Sequence, residues 1–415
     1  MKVGIIHKIS CLCIYQRVSF LLTMSLETEI EINRNQLKSV GINRNQKRKG
    51  GAGNVNENLS DQGKREKKVG IIGCGGIAQV HAWALCSMDD VVLKTFCDID
   101  ENKAKALADK VGDIYRTQCD QKDVRDWEYE ICEDWEELGD SDLDVIHVCT
   151  PHYLHARMAI ELMKKGKTVF VEKPCAISRE EFLELKAADA RTPGRLGFCF
   201  QNRYNETTLL IDQIIKEGRI GKITGGRAMV TWRRDKDYYD ATDWKGKIKT
   251  EGGGVLINQA IHTLDLLLRH LGNPVTVRGM ASNHHLLDQG VEVEDSVEAW
   301  MEFSGGKRAC FHASNAYVTD APIYLEFQGE EGRVCMNGTE ITVYAAGETP
   351  RHFMRDLEKG IGKDYWGCGH KACIKDFYQC LDGAEPYQNC LNGVENTFLT
   401  IMRIYEDARR TAKGQ

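Results

Sequence analysis

The chain has 415 residues and a formal net charge of −6, with 42% hydrophobic and 28% charged residues. That balance describes a two-domain globular protein with full cores, and its acidic total gives nucleic acid no electrostatic hold on the body of the chain. No apolar run reaches the roughly 18 residues of a membrane span. The 16 cysteines, scattered through strand, helix and loop patterns, read as reduced thiols of a cytoplasmic protein, with none at zinc-site spacing and hence no metal expected.

Residues 1–66 differ from the rest. Their first part is mildly apolar but broken by Lys8 and Arg17, and it lacks a small-residue cleavage site. The pentad Ile32-Asn33-Arg34-Asn35-Gln36 recurs at 42–46, with nothing to bury. Residues 1–68 hold 13 Lys and Arg against 6 Asp and Glu, so the segment reads as a basic, disordered extension.

Val69, Ile71 and Ile72 then form a short apolar run suited to a buried parallel strand. Gly73, Gly75 and Ala78 follow at G-x-G-x-x-A spacing, with Gly76 and Ile77 between them. Small residues there permit a sharp turn, close approach of a pyrophosphate, and packing of the next helix, whose N-terminus attracts phosphate. A second apolar run, 91–97, ends at Asp98, 20 positions beyond Ala78, where a carboxylate would accept ribose hydroxyls. Alternatively Asp98 merely caps a helix over 101–110. An acid there repels a 2′-phosphate, so NAD is expected over NADP.

An acidic stretch over 113–140 carries a helical turn near Trp135. A buried strand over 143–149 closes on Thr150-Pro151, and His152 and His155 begin an amphipathic helix. The strand 168–171 ends in Glu172-Lys173-Pro174. Strands alternating with helices predict an α/β, doubly wound parallel sheet over 67–193, whose strand tips share one crevice. Beyond 194 the texture changes. Strand patterns at 223–232, 276–282, 296–303, 308–315, 323–328, 333–336 and 340–345, joined by Gly-rich turns, predict an antiparallel sheet. One long helix, 254–271, interrupts them, and helices at 369–381 and 394–412 complete an α+β domain over 194–415.

Three places carry candidate chemistry. Lys173, at a strand tip beside the crevice, can share a proton with a substrate hydroxyl; otherwise it is a solvated strand-end lysine. Asn258 and His262, four apart, are expected on one helical face behind a flexible glycine run, 252–254, with Asp265 on nearly the same stripe. His262 suits proton transfer near neutral pH, or else is a satisfied core histidine. Trp232, Tyr238, Tyr239 and Trp244 interleave with charged residues in loops that suit a polyhydroxylated ligand, or simply form a polar loop.

Together, Gly-Cys-Gly-Gly-Ile-Ala at 73–78, Thr150-Pro151 with His155, Glu172-Lys173-Pro174, and Gly252-Gly253-Gly254 with Asn258 and His262 resemble the Gfo/Idh/MocA oxidoreductases. The resemblance spans about 67–412. It implies a Rossmann domain, then an open, mostly antiparallel sheet that binds substrate and builds a homodimer or homotetramer. It implies NAD(P)-dependent hydride transfer to or from a hydroxyl or ketone of a sugar, cyclitol or sugar nucleotide. By it, Lys173 is the catalytic lysine, with a cis bond to Pro174, and His262 the acid/base. Gly73, Gly75, Gly76, Ile77, Ala78, Asp98, Thr150, Pro151, His155, Glu172 and Lys173 hold the cofactor, and Arg203, Trp232, Tyr238, Tyr239, Trp244, Asn258 and His262 meet the substrate. Two departures stand out. Many members have Asp where this chain has Asn258, which leaves Lys173 as base and His262 positioning substrate, and His152 stands where Asn is frequent. A glycoside hydrolase working by transient oxidation on bound NAD and a non-catalytic dinucleotide or sugar sensor are the rival readings.

Overall fold

The computed structural model describes residues 65–118, 127–192, 194–354, 368–383 and 385–412. Of the expected extension 1–66, all but Arg65 and Glu66 lies outside the described residues.

The first sheet has six parallel strands in the order β3-β2-β1-β4-β5-β6. These are β1 (Lys67–Ile72), β2 (Val91–Cys97), β3 (Glu130–Cys132), β4 (Val145–Val148), β5 (Thr168–Val171) and β6 (Leu196–Phe198). The helices between them are α1 (Gly76–Cys86), α2 (Glu101–Gln118), α3 (His152–Lys164) and α4 (Arg179–Asp189). Every residue of β4 is buried, which is why the strand reads as an unbroken apolar run: helices cover both faces of such a sheet. The strand order reverses between β1 and β4, so their carboxyl ends open a crevice. Gly73 and Thr150 follow those two ends.

Three details differ from expectation. Helix α2 continues to Gln118, because Ala104, Leu107, Ala108, Val111 and Tyr115 keep one buried stripe past Gly112. The acidic stretch contains the short edge strand β3, which has too few apolar residues to show a period. The sheet also takes its sixth strand from beyond residue 193.

After α5 (Glu206–Lys216), the second sheet has eight strands in the order β14-β13-β12-β11-β7-β10-β9-β8. They are β7 (Ile223–Thr231), β8 (Pro274–Ser282), β9 (Ser296–Phe303), β10 (Arg308–Ser314), β11 (Tyr324–Gly329), β12 (Gly332–Asn337), β13 (Glu340–Ala345) and β14 (Arg351–Met354). The expected hairpins are present, but β7 and β10 pair in parallel, so the sheet is mixed. Two distant strands can meet this way because the helix 261–271 crosses between them. Strand β14, an exposed edge, carries no apolar alternation and was not foreseen.

Alternation fixes which face is buried. In β9, Val297, Ala299, Met301 and Phe303 point inward, while Glu298 and Trp300 point out. Helix α6 (Ile261–Leu271) lies on β7, and α8 (Leu391–Ala412) lies on β8. Helix α7 (Gly369–Asp382) returns to pack on α1, burying Cys373, Ile374 and Phe377 in the same cluster as Val69 and Ile71. Among the described residues no helix is long and apolar enough to cross a membrane, and no cysteine forms a disulfide.

Candidate active site

The turn after β1 is shaped by what glycine omits. Gly73 has φ +84°, and a Cβ there would stand 2.8 Å from the Cys149 carbonyl at the end of β4. Only glycine fits. Gly75 and Gly76 are different: neither has positive φ, and a Cβ on either would meet nothing within 4 Å. Nothing in the fold demands glycine at those two exposed positions, so the space they leave fits a ligand that must approach the α1 N-terminus closely. A hollow adjoins them, walled by Gln79, Lys103 and Lys110. Ala78 is wholly buried, and Ile77 packs half-buried against the same core.

Asp98 ends β2 beside this turn. One carboxylate oxygen accepts from the Cys74 N–H at 2.7 Å and the other from the Asp100 N–H at 2.9 Å. Its side chain therefore organises the glycine turn. The side chain that receives an N–H from the first turn of α2 is that of Asp100, from Asn102 at 3.1 Å.

His155 sits differently from its expected cofactor contact. It is buried, with Nδ1 2.7 Å from the Pro174 carbonyl and Nε2 2.8 Å from the Thr150 carbonyl. It ties together the loops after β4 and β5 and has no nitrogen to spare. His152, also buried, donates through Nδ1 to the Glu251 carbonyl at 2.9 Å and lies 4.7 Å from the Trp244 ring. Burial first, then the charge of Lys173, holds its pKa well below 6.5.

Glu172 turns inward. One oxygen meets His81 Nε2 at 2.9 Å, and the other accepts from the Lys173 N–H. Burial pushes this carboxyl's pKa up most strongly, but the His81 bond and charge outweigh it, so the net shift is downward. Behind it, His81 Nδ1 is 2.9 Å from His147 Nδ1, and His147 Nε2 is 3.0 Å from the Tyr378 hydroxyl. The Cys199 thiol completes a trio with His81 and Glu172 whose ligand-type atoms lie within 4.8 Å of one another.

Lys173 faces the other way. Its peptide bond to Pro174 is cis. Its ammonium donates to the Asn258 carbonyl at 2.8 Å and to Asn258 Oδ1 at 3.1 Å. Burial pulls the lysine's pKa below 10.5, opposed by the charges of Glu172 and Glu251.

The run before α6 corrects an expectation. Helix α6 begins at Ile261, and residues 254–260 form a chain of turns. The glycines before them are rigid rather than flexible. Gly252 has φ +85°, a Cβ on Gly253 would overlap the Tyr405 hydroxyl, and one on Gly254 would overlap the Glu294 carbonyl. The Glu294 carboxylate fixes the run by accepting from the Gly254 and Leu256 N–H groups at 2.7 and 3.1 Å. Asn258 thus lies on the turn and His262 in the first turn of α6, both beside Lys173.

His262 is 8% exposed, and its Nδ1 has no hydrogen-bond partner. Burial, then the Lys173 charge, depresses its pKa to about 3, so the ring is neutral at physiological pH. A buried nitrogen left unmet costs about 1–3 kcal/mol unless something fills the space before it. Asp265 does not join His262. It accepts from Arg203 Nε at 2.7 Å and from Thr397.

That pair corrects Arg203, expected to meet substrate. Its guanidinium is buried and committed to Asp265, Asn389 and the Gly393 carbonyl. Two of the aromatic residues are corrected as well. Trp232 is buried and donates to the Ala321 carbonyl. Tyr239 fills a small core with Leu286, Val291 and Val293. Tyr238 and Trp244 remain beside the site. The Tyr238 hydroxyl accepts from Gln259 Nε2 at 2.9 Å, and Lys245 sits 4.1 Å over its ring.

One residue here was not foreseen. Glu251 is completely buried, and its Oε1 accepts from Asn258 Nδ2 at 2.6 Å. Its signal in the sequence was only its place before the three glycines.

Family models match this chain twice: an oxidoreductase family with an NAD-binding Rossmann fold over residues 67–198, and a GFO/IDH/MocA C-terminal domain over residues 208–335. Inositol 2-dehydrogenase of Rhizobium meliloti is 26% identical over 64% of this chain and 74% of its own. The WlbA dehydrogenase from Bordetella pertussis, solved with NADH and UDP-GlcNAcA, superposes with a TM-score of 0.69 at 25% identity, covering 83% of this chain and 97% of that one. A glycosyl hydrolase family 109 protein of Shewanella sp. is 26% identical over 46% of this chain and 41% of its own. With two matched models, a parallel Rossmann sheet and a mixed eight-stranded sheet behind it, the chain belongs to the Gfo/Idh/MocA family of NAD-binding oxidoreductases.

Proposed function

We propose that this protein is an NAD-dependent dehydrogenase acting on a secondary hydroxyl of a sugar, cyclitol or sugar nucleotide, with Lys173 handling the hydroxyl proton. The observation that carries the reading is the Lys173 ammonium, anchored on Asn258, beside the unpartnered Nδ1 of His262. Bound NAD supplies the hydride acceptor for oxidation, or as NADH the donor for reduction. Gly73, Gly75, Gly76 and the α1 N-terminus would hold its pyrophosphate, and Asp98 its adenosine ribose, which favours NAD over NADP. Residues 67–193 carry the cofactor and 194–415 the substrate.

In oxidation, the neutral Lys173 amine takes the hydroxyl proton as the carbonyl forms. Burial lowers its pKa below that of an ordinary lysine, which favours the neutral amine that proton uptake requires. His262, neutral and with a pKa of about 3, is a poor proton store but a good hydrogen-bond partner, so it orients the hydroxyl. Tyr238 and Trp244 offer ring faces to the sugar's C–H edges. Met229, Met280 and Trp300, exposed on the outer face of the second sheet, suit burial between copies in a homodimer or homotetramer.

The test is a panel of sugars, inositols and sugar nucleotides with NAD and NADP, followed at the nicotinamide absorbance. Net NADH formation with a polyol is the expected result. Glycoside cleavage on bound NAD with no net NADH would replace this reading with that of a hydrolase. NAD binding without turnover of any polyol would replace it with that of a sensor.

A further inference from the structure

Asn258 poses a question of charge. Its carboxamide holds the Lys173 ammonium, yet it brings no negative charge to offset it. The charge lies one residue deeper. Glu251 Oε1 accepts from Asn258 Nδ2 at 2.6 Å, while Asn258 Oδ1 accepts from Lys173 Nζ at 3.1 Å. With a carboxylate on one side and an ammonium on the other, only one orientation of the amide serves both. The second carboxylate oxygen is fixed by the Gly246 N–H at 2.6 Å.

We infer that Glu251 is a positioning residue for Lys173: through Asn258 it orients the lysine and supplies the counter-charge that position 258 lacks. A carboxylate at 258 would press against Glu251 in a water-poor site, so the two positions divide the work, one linking and the other charged. The inference rests on Lys173 acting as the base.

Other groups around Glu251 set its own ionisation. Burial is the strongest influence and raises its pKa to about 7; the Asn258 and Gly246 bonds lower it, Glu294 raises it, and Lys245 lowers it. From the remaining elements, the Tyr239 and Tyr405 hydroxyls stay protonated, their pKa values raised by burial and further by Glu251 itself. His152 touches only the backbone carbonyl and is kept neutral by burial. Lys173 is therefore the cation to which Glu251 is hydrogen-bonded through a single intervening side chain. An ionised Glu251 favours the ammonium, and its loss favours the free amine.

Glu251→Gln tests this in the full-length protein by two readouts. The first is the pH dependence of Lys173 acylation by acetic anhydride, followed by mass spectrometry, which needs no substrate. Its midpoint is expected to fall by about one pH unit, the lower end of what a nearby opposite charge does. The second is the acid limb of kcat/KM for alcohol oxidation, expected to move down by the same amount. A shifted labelling midpoint in a protein that oxidises no polyol upholds the Glu251–Lys173 link and overturns the dehydrogenase reading. An unmoved midpoint overturns the link, whatever the activity. Should Glu251→Gln not fold, Glu251→Asp keeps the charge but draws it back from Asn258. A smaller downward shift in that variant supports the link, and an unmoved midpoint refutes it.

Discussion

Glu172 and Lys173 are adjacent in the chain and face opposite surroundings. Glu172 points into the first sheet, where His81, His147 and Tyr378 extend a chain of hydrogen bonds to α7. One arrangement of protons serves every partner: Tyr378 donates to His147 Nε2, His147 donates through Nδ1 to His81, and His81 donates through Nε2 to the carboxylate. Lys173 points toward α6, where the buried Nδ1 of His262 is unmatched. Both sides are polar and largely buried. What separates them is satisfaction: a closed network stabilises a fold, whereas an incomplete one waits for a ligand.

The strongest way to break this contrast is Lys173→Ala. If the open side carries the chemistry, kcat falls by about 10²–10⁴-fold, the usual range for a general acid–base group. The fold survives, because Lys173 donates only to Asn258. Steady-state kinetics beside a thermal melt separates the two. Turnover near the wild-type level would end the assignment.

Arg203→Ala should do the reverse. It strands Asp265 as a buried, unpaired charge, at a cost of about 3–5 kcal/mol. Denaturant unfolding should show the loss, while KM of the folded fraction stays unchanged. A raised KM with unchanged stability would return Arg203 to the substrate site.

Helix α6 explains how much of this was legible. The glycine turn, Asp98 and Lys173 stand at strand ends, and strand ends show in sequence because buried parallel strands are short apolar runs with abrupt stops. His262 and Asp265 lie three apart on one helix, and no pattern tells a histidine with an unmet nitrogen from an aspartate already paired. Their partners, Lys173 and Arg203, are 89 and 62 positions upstream. Tyr238 and Tyr239 pose the same problem: adjacent and identical, one meets Asn258 and the other fills a core. The parallel pairing of β7 with β10 and the burial of Glu251 were likewise decided by long-range packing.

Acid should sharpen the contrast next. His147, His152 and His262 all have folded pKa values depressed by burial. The unfolded chain thus binds protons that the folded one refuses. Their stabilisation is complete above about pH 6.5 and is lost as pH falls toward the folded values. For His262, shifted from 6.5 to about 3, lowering pH from 7 to 5 removes about 2 kcal/mol. Glu251 opposes this: its pKa is raised from 4.5 to about 7, so its contribution is full below 4.5 and lost as pH rises through 7. The histidines outnumber it, so Tm should drop between pH 6.5 and 5. His262→Leu should flatten part of that drop, and an unchanged pH slope in that variant would show that the ring is not held neutral.

The smallest effect discriminates by its sign. Gly76 opens α1, has no positive φ, and offers a new Cβ only empty space. In the protein alone, Gly76→Ala removes backbone freedom from the unfolded chain and should stabilise by about 0.4–1 kcal/mol. If the emptiness beside the turn exists for a pyrophosphate, the same methyl group intrudes on it, and NADH should bind more weakly. A rise in Tm together with a weaker NADH titration is the expected pair. A variant that gains stability and keeps its NADH affinity would mean that the cofactor does not approach the chain at residue 76, and the open side would then have to be redrawn around Gly73 and Gly75.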